Sequence, residues 1–339
     1  MAVSPYLFQS APTVSLNPAL DAYVGVQFAM LLNRGDVTEL YVNDDGYVWY
    51  ESYEEGKVKS NIHIDPVKAR GIIEMIAGDS GKIANDDVCS VSTEIRGYGY
   101  RFQGELPPVV RHPQFNIRKK ATKIFTLSDY VKNGTMKKEY KDYLENAIAN
   151  RKNILVVGGT ATGKTTFLNA VLDAIARISP THRIISLEDL PELQCSADDY
   201  SPMFTKQDIG SSGIRFDMTR LLMDCMRRSP DRIVVGEVRD GCAYTMLKAW
   251  NTGHPGGACT VHADTASSGL IRIESLALED QNAPNNIGVL RMLIGEAVDV
   301  IVSITTVRYK DGTKGRKINE IVELEGYNSM TDKYNLTVI

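Results

Sequence analysis

The spacing of apolar residues predicts helices and strands in quick succession at the start of the chain. Apolar side chains recur at helical intervals from Leu20, and Gly35 follows them, which indicates one helix and its end. Two runs rich in β-branched and aromatic residues then flank Asp45-Gly46, a pair typical of tight hairpin turns. This stretch therefore predicts a helix followed by a β-hairpin.

A second helix and further strands follow the hairpin. The helical pattern in "DPVKARGIIEMIAG" has Asp65 placed to cap its start and Gly78 placed at its end. The run "VCSVSTEIRGYGYRFQGELPPVV" alternates as strands do and stops at Pro107-Pro108. Together these elements predict a small α+β domain over residues 1–118.

The rest of the chain has a different pattern. Residues 119–135 are polar and lysine-rich, which indicates a linker. Within residues 136–339, helical segments such as "KEYKDYLENAIANR" and "TRLLMDCMRRSP" alternate with the strand-like runs "NILVVGG", "RIISLED", "RIVVGEV" and "GACTVHA". Strands that are apolar throughout predict a parallel sheet covered by helices on both faces. From Val298 the chain returns to a β pattern, with "KDGTKGR" as a turn.

Composition and charge narrow the class of protein. The 339 residues are 43% hydrophobic with a net charge of -4, which argues against a surface coated by nucleic acid. Five single cysteines without a C-x-x-C pair indicate free thiols in a reducing compartment. The first positive charge is Arg34, and no apolar run is long enough to span a membrane. We therefore expect a cytoplasmic protein without a secretory signal.

The clearest chemical motif is "GGTATGKTT", which has the spacing G-x-x-x-x-G-K-[ST]. It follows the strand "NILVV" and opens the helix "TTFLNAVLDAIARI", the context that a phosphate-binding loop requires. Backbone N–H groups would surround the phosphates, Lys164 would neutralise the β and γ oxygens, and the Thr165 hydroxyl would ligate Mg²⁺. The predicted nucleotide-binding residues are Gly158, Gly159, Thr160, Ala161, Thr162, Gly163, Lys164, Thr165 and Thr166.

Carboxylates at two strand ends supply the other parts of a hydrolytic site. Glu188 and Asp189 end the strand "RIISLED", and Glu237 follows Gly236 at the end of "RIVVGEV". Because the carboxyl ends of parallel strands meet at the edge that carries the phosphate loop, we expect these side chains to converge there. We predict that Glu237 aligns or deprotonates water, while Glu188 and Asp189 help Thr165 to hold Mg²⁺, partly through water.

The stretch "TGHPGGACTVHAD" contains two of the five histidines, His254 and His262. Histidine is a common metal ligand, but this spacing offers no H-E-x-x-H motif, no Cys/His set and no third ligand. A second interpretation is that the imidazoles are only hydrogen-bonded beneath a Gly-rich turn. The third, which we favour, places His262 at the carboxyl end of "GACTVHA", facing the γ-phosphate beside Glu237, with His254 further back.

Four segments together resemble the motifs of the secretion traffic ATPases of type II and type IV secretion. "NILVVGGTATGKTTFLNA" is similar to their Walker A motif, "ISLEDLPELQ" to the Asp box, "MRRSPDRIVVGEVRD" to Walker B and "LKAWNTGHPGGACTVHAD" to the His box. "AWNTGHPGG" and "LPPVVRHPQFNIRKK" are most similar to the conjugal-transfer branch. The resemblance, from about Val37 onward, implies an α/β RecA-like P-loop ATPase domain with a parallel sheet, preceded by a smaller PAS-like α+β domain.

The resemblance also implies an assembly and a set of arginines. It implies ATP and Mg²⁺ as ligands and a homo-hexamer peripheral to the cytoplasmic face of the inner membrane, alongside other secretion-system ATPases and inner-membrane components. Arg101 in "GYRFQG", Arg118 in "FNIRKK" and Arg227 in "CMRRSPD" match family arginines that neutralise charge on the transferred phosphoryl group. The predicted catalytic residues are Glu237, Glu188, Lys164, His262, Arg227, Arg101 and Arg118.

Two departures from the family pattern bear on these predictions. Ala161-Thr162 stand where family loops usually carry Gly-Ser or a similar pair. Because alanine is costlier than glycine at positive φ, the affinity for nucleotide depends on whether this position needs that geometry. The paired-Cys zinc insertion of type II secretion ATPases is absent, which argues against that branch.

The sequence therefore predicts an ATP-hydrolysing motor for a conjugative or type IV secretion system. One alternative is a type IV pilus assembly or retraction motor of the same superfamily. A second is a RecA-like nucleic-acid-binding ATPase or helicase, supported only by "RKK" and "KKEYK", so direct nucleic-acid binding is not expected. A third is a non-hydrolysing scaffold whose ring assembly needs bound ATP.

Overall fold

The computed structural model describes residues 18–52, 55–119, 124–206, 215–308 and 314–339. The chain divides into two compact units, residues 1–122 and residues 123–339. Each unit has its own hydrophobic core. Within the described ranges, none of the helices combines the length and apolar character needed to cross a bilayer.

The first unit is an antiparallel sheet with helices against its core face. Its elements are α1 (Pro18–Val24), α2 (Val26–Asn33), β1 (Val37–Val42), β2 (Tyr47–Ser52), β3 (Gly56–His63), α3 (Pro66–Asp79), β4 (Ser90–Ile95), β5 (Tyr100–Glu105) and β6 (Gln114–Arg118). The strand order is β3-β2-β1-β6-β5-β4, and each neighbouring pair is antiparallel. Alternate strand residues such as Leu40 and Phe102 enter one core with Ile72 of α3, which gives the predicted α+β arrangement.

Local details of the first unit both match and correct the sequence predictions. The hairpin at Asp45-Gly46 is present between β1 and β2. The Asp65 side chain caps α3 as predicted, since it accepts hydrogen bonds from two backbone N–H groups of the first turn. The single helix predicted from Leu20 is wrong: Gly25, with φ 90°, separates α1 from α2. Strand β3, which begins at Gly56, was not predicted.

The second unit is an α/β layer structure. Its elements are α4 (Leu127–Lys132), α5 (Lys138–Ala149), β7 (Ile154–Gly158), α6 (Lys164–Ile178), β8 (Ile184–Glu188), β9 (Tyr200–Phe204), α7 (Met218–Met226), β10 (Arg232–Val235), α8 (Cys242–Asn251), β11 (Ala258–His262), α9 (Ala266–Ala277), α10 (Ile287–Ala297), β12 (Val300–Arg308), β13 (Lys314–Asn328) and β14 (Lys333–Val338). The strand order is β14-β13-β12-β7-β11-β10-β8-β9. Pairing is parallel from β12 to β9 and antiparallel for β13 and β14, so the predicted parallel sheet carries an antiparallel extension.

The two faces of this sheet are covered by different helices. Leu155 and Val157 of β7 lie in one apolar cluster with α7, α8, α9 and α10, whereas Ile154 and Val156 lie in another with α4, α5 and α6. All five residues of β7 are buried. The uninterrupted apolar runs of the sequence thus correspond to strands with helices on both faces.

Helix α4 lies within the stretch predicted as a linker. Thr126 and Asp129 form a capping box at its start, and Tyr130 makes an edge-to-face contact with Phe167 of α6 at 5.2 Å between ring centroids. Residues 127–132 therefore belong to the core of the second unit. Residues 120–123 of the predicted linker, and most of the predicted "KDGTKGR" turn, lie outside the described residues.

Candidate active site

The phosphate loop joins the end of β7 to the start of α6. Gly163, the N-terminal cap of α6, has φ 97°, a left-handed conformation that favours glycine. A Cβ atom on Gly158 would lie 2.6 Å from the carbonyl oxygen of Ile304, so only glycine fits there. Both glycines of the motif thus have a structural reason.

Ala161 occupies the position where the sequence departs from the family pattern. Its φ is 59°, so this position does require the left-handed conformation. A residue with a Cβ atom adopts that conformation at a cost of roughly 1–2 kcal/mol. The neighbouring Thr162 is buried, and its hydroxyl donates to the carbonyl oxygen of Gly159 at 3.0 Å, which helps to hold the loop in this shape.

Lys164 is buried and lies at the centre of the site. Its Nζ donates to the carbonyl oxygens of Gly158 and Gly159, both at 2.9 Å. The same atom lies 3.2 Å from Nδ1 of His262 at the end of β11. The ammonium group is therefore surrounded by acceptors at the level where phosphate oxygens would bind.

His262 connects Lys164 to Glu237. Its Nε2 lies 2.8 Å from Oε1 of Glu237. Partial burial, and next the charge of Lys164, hold the pKa of the imidazole below its usual value, although Glu237 acts in the opposite direction. The ring is therefore neutral at pH 7. The partners assign the tautomer: Nδ1 accepts from the lysine and Nε2–H faces the carboxylate.

Arg239 continues this chain of polar groups on the far side of Glu237. Its Nε donates to Oε2 of Glu237 at 2.6 Å, and its Nη1 donates to Oδ2 of Asp189 at 3.2 Å. The other oxygen of Asp189 accepts from the hydroxyl of Thr205, just after β9, at 2.9 Å. Sequence reasoning missed both Arg239 and Thr205. Arg239 stands in the quoted "GEVRD", but its spacing alone does not reveal two carboxylate partners.

Glu188 is buried at the end of β8, and one of its oxygens binds the following loop. Oε2 accepts from the backbone N–H groups of Glu192 and Leu193 at 2.8 and 2.7 Å. This arrangement fixes the turn that carries Asp189. The predicted convergence of the two strand ends is present, because β8 and β10 pair in parallel up to Leu187 and Val235.

The oxygen donors near the loop fit Mg²⁺. Thr165 is the second residue of α6, and Glu188 and Asp189 supply carboxylates at the end of β8, which β11 and β10 separate from β7. Mg²⁺ prefers hard oxygen ligands and usually takes one or two from the protein and the rest from phosphate and water. The described parts of the chain contain no group of three or more His, Cys, Asp or Glu side chains that would form an all-protein cage.

His254 and the glycines beside it lie at the other end of β11. Nδ1 of His254 is 3.0 Å from the carbonyl oxygen of Pro230. A Cβ atom on Gly256 would collide with the Arg232 guanidinium, and one on Gly257 would collide with the indole of Trp250. "TGHPGG" is thus a packing element at the amino edge of the sheet, whereas His262 belongs to the cluster at the carboxyl edge.

Arg227, one of the three predicted catalytic arginines, does not lie beside Lys164 as His262 does. Arg227 is exposed at the C-terminal cap of α7, before β10 begins, so it lies at the amino edge of the sheet. The structure therefore separates Arg227 from Lys164 and Glu237, contrary to the expected grouping. Arg101 and Arg118 belong to the first unit, where they are register partners on β5 and β6 and share one sheet face.

Comparison with known proteins agrees with this architecture. Residues 84–331 match the family described as type II/IV secretion system protein. The chain is 39% identical over 306 residues to the conjugal transfer protein TrbB of Rhizobium radiobacter, covering 90% of this chain and 89% of the relative. It is 27% identical over 315 residues to the type IV secretion system protein VirB11 of Bartonella henselae, covering 82% of this chain and 87% of the relative.

A solved structure supports the predicted fold. The X-ray structure of the Legionella pneumophila ATPase DotB matches with a TM-score of 0.61 at 19% identity, over 86% of this chain and 78% of that chain. The predicted fold class, an α/β domain with a largely parallel sheet after a smaller α+β domain, is therefore confirmed.

Proposed function

The chain belongs to the family of type II/IV secretion system proteins, and on that basis we propose that it hydrolyses ATP to energise a conjugative or type IV secretion system. The observation that carries this proposal is the contact sequence Lys164–His262–Glu237 beside the phosphate loop. It joins a phosphate-binding cation to a carboxylate suited to orient water. The relatives named above are conjugal transfer and type IV secretion proteins, and they support this role more than they support that of a pilus motor.

Binding begins with the loop and α6. The N–H groups of residues 159–166 and the start of α6 would hold the phosphates, and Lys164 Nζ would donate to the β and γ oxygens. Lys164 is buried and already directed by Gly158, Gly159 and His262, so little side-chain freedom is lost on binding.

Hydrolysis requires a water molecule aligned with the γ-phosphorus. Glu237 would accept a hydrogen bond from this water and take its proton as the new P–O bond forms and the bond to ADP breaks. Nε2 of neutral His262 lies 2.8 Å from Oε1 of Glu237, an oxygen that accepts no hydrogen bond in the described residues, and its N–H would donate to that oxygen once the ring is aligned by bound nucleotide. Arg239 would hold the other carboxylate oxygen, leaving Glu237 no freedom to turn away.

Mg²⁺ would neutralise charge on the β and γ oxygens when bound. We propose that Thr165 holds it directly and that Glu188 and Asp189 hold it through water. Both carboxylates are restrained, Glu188 by backbone N–H groups and Asp189 by Thr205 and Arg239, so they can orient such waters.

Assembly and location are further parts of the proposal. We propose a hexameric ring at the cytoplasmic face of the inner membrane, in contact with other secretion-system ATPases and inner-membrane components. Arg101 and Arg118 would neutralise phosphate charge in that assembly, a role supported by their motif match and their side-by-side register. Arg227 lies at the amino edge of the sheet, away from Lys164 and Glu237 of its own subunit, so its predicted role in neutralising phosphate charge stays a prediction.

Phosphate release by the wild type and by Lys164→Ala tests the proposed activity. We expect hydrolysis by the wild type and a loss of at least about a hundredfold in the variant, since Lys164 contacts the transferred group. Equal rates would contradict the proposal. Loss of plasmid transfer on gene deletion, with fibre formation and twitching retained, would distinguish the conjugative role from a pilus motor.

A further inference from the structure

The antiparallel extension of the second sheet forms a wall beside the phosphate loop. β12 pairs with β7 up to Ser303 and Val157 and then continues to Arg308, past the end of β7. β13 pairs with this continuation through Thr306 and Arg316. β12 flanks β7 on the side opposite β11, so the wall faces the loop from the side away from His262.

One side chain of this wall reaches the start of α6. A Cβ atom on Gly163 would lie 3.1 Å from Cδ, 3.2 Å from Nε and 3.7 Å from Cζ of Arg316. The Arg316 guanidinium therefore lies over the residue at which α6 begins. Arg316 is exposed, and no residue that the structure describes forms a hydrogen bond or an ion pair with it.

We propose that Arg316 binds the ADP portion of the nucleotide, a role that rests on the proposed ATPase function. The start of α6 is where phosphate oxygens meet backbone N–H groups, and a guanidinium there can donate two parallel hydrogen bonds to them. Glu237 and His262 mark the γ-phosphate side of the loop, because they end β10 and β11. Arg316 approaches from the opposite side and thus contacts the α-phosphate end.

This placement predicts how Arg316 discriminates between ligands. A group that holds the γ-phosphate favours ATP over ADP, whereas a group on the α-phosphate side strengthens the binding of both equally. The test must also distinguish the effect of the guanidinium on binding from that of the aliphatic part of the side chain, which lies against Gly163. Arg316→Met keeps most of that stem and removes the donors.

Titration calorimetry with ADP and with the non-hydrolysable ATP analogue AMP-PNP tests the proposal on the full chain. We expect Arg316→Ala and Arg316→Met to raise the Kd of both nucleotides by about tenfold, because the hydrogen bonds from an exposed guanidinium to the phosphate are lost. Lys317→Ala is the matched control. It removes a neighbouring positive charge whose Cα pairs with Thr305 and whose side chain points to the other face of β13, so its Kd values stay within about twofold.

Three results would overturn the assignment. Wild-type Kd values in both Arg316 variants would show that Arg316 does not bind nucleotide. Weakening in Arg316→Ala but not in Arg316→Met would assign the effect to the stem, and weakening for AMP-PNP alone would assign it to the γ-phosphate. Failure of the proposed function is distinguishable: the wild type would then bind neither nucleotide, or would bind them without releasing phosphate from ATP. Arg316 alone is at issue if the wild type binds nucleotide and hydrolyses ATP and Lys164→Ala does not.

Discussion

Lys164 Nζ lies 3.2 Å from His262 Nδ1, which places the lysine of the phosphate loop in contact with the histidine that ends β11. The contact follows from sheet order. β7 and β11 are neighbours, and His262 is the register partner of Gly158, the first residue of the loop. A histidine that lies 98 positions after the lysine in the chain is therefore brought to it by strand pairing alone.

We expect His262→Ala to slow hydrolysis more than it weakens ATP binding. The substitution removes the group between Lys164 and Glu237, so kcat falls by roughly 10- to 100-fold, the equivalent of one or two hydrogen bonds. The Kd for ATP changes by less than about threefold, because the loop and Lys164 are intact. Steady-state hydrolysis and calorimetry measure the two quantities.

The matched control is His254→Ala, on the loop that precedes the same strand. His254 contacts the carbonyl oxygen of Pro230 and lies away from the loop, so kcat is expected to stay within about twofold of the wild type. An unchanged turnover rate in His262→Ala would remove the histidine from the mechanism.

The pH dependence of hydrolysis should carry the signature of His262. Burial and then Lys164 lower the pKa of His262 below its ordinary value of 6.5, so the ring is neutral at and above that pH. As the pH falls below 6.5 and through the lowered pKa, Nδ1 becomes protonated and can no longer accept from Lys164. The rate is therefore expected to fall in that window, and His262→Gln is expected to lack this acid limb.

The free energy of unfolding is expected to depend on pH in the same direction as the rate of hydrolysis. Between the lowered pKa and 6.5 the unfolded chain binds more protons than the folded one, so the contribution of His262 to stability is complete above 6.5 and is lost as the pH falls. The pKa of His182 is also lowered, by burial and then by the charge of Arg232. Because His182 is present in both the wild type and His262→Gln, it does not explain a difference between their pH profiles. Superimposable rate profiles for the wild type and His262→Gln would contradict the assignment of a neutral, acceptor imidazole.

Ala161→Gly is expected to stabilise the protein. The φ of 59° is strained for alanine by roughly 1–2 kcal/mol, and glycine adopts it freely but gives the unfolded chain more entropy. The net gain in the free energy of unfolding is about 0.5–1 kcal/mol, seen as a higher melting temperature. Ala170→Gly within α6 is the control and should lower it. A lower melting temperature for Ala161→Gly would contradict the strained loop.

Arg232→Met is expected to destabilise the second unit without any contact to the site. Arg232 is fully buried and donates to the carbonyl oxygens of Gly256 and Ile148, the Ser179 hydroxyl and Nδ1 of His182. Its removal leaves buried acceptors unpaired, at a cost of about 2–5 kcal/mol in the free energy of unfolding. Thermal and urea unfolding measure this loss.

Exposed Arg228, which donates to the Ser201 hydroxyl at 3.0 Å, provides the comparison for that substitution. Arg228→Met should change stability by less than about 0.5 kcal/mol. An unchanged free energy of unfolding for Arg232→Met would show that the buried arginine does not stabilise the amino edge of the sheet.

The sequence predicts structure best where one regular pattern of apolar residues, or one motif, covers a whole element. Uninterrupted apolar strands and the phosphate-loop motif specify the α/β layers, and strand ends specify where Glu237 and His262 meet the loop. It predicts less where the partner is distant in sequence. The spacing of residues does not reveal that Arg239 binds two carboxylates. Nor does it reveal that side chains at Gly256 and Gly257 would collide with Arg232 and Trp250, which explains the glycines of "GHPGG".

Two local errors have physical causes that are visible only in three dimensions. Apolar spacing across Gly25 continues, so the pattern gives one helix, whereas its φ of 90° breaks the segment in two. Residues 119–135 look polar in sequence, yet Leu127 and Tyr130 enter a buried cluster with α6. In both places tertiary packing or one backbone torsion outweighs the local pattern.

The central claim is that Glu237 activates water at an ATP site built around Lys164. Phosphate release, measured together with ATP binding for the wild type and Glu237→Gln, tests it most directly, with exposed Glu279→Gln as the control. We predict that Glu237→Gln binds ATP within about threefold of the wild type and hydrolyses it roughly 10² to 10⁴ times more slowly. Equal phosphate release by the wild type and Glu237→Gln would contradict the account.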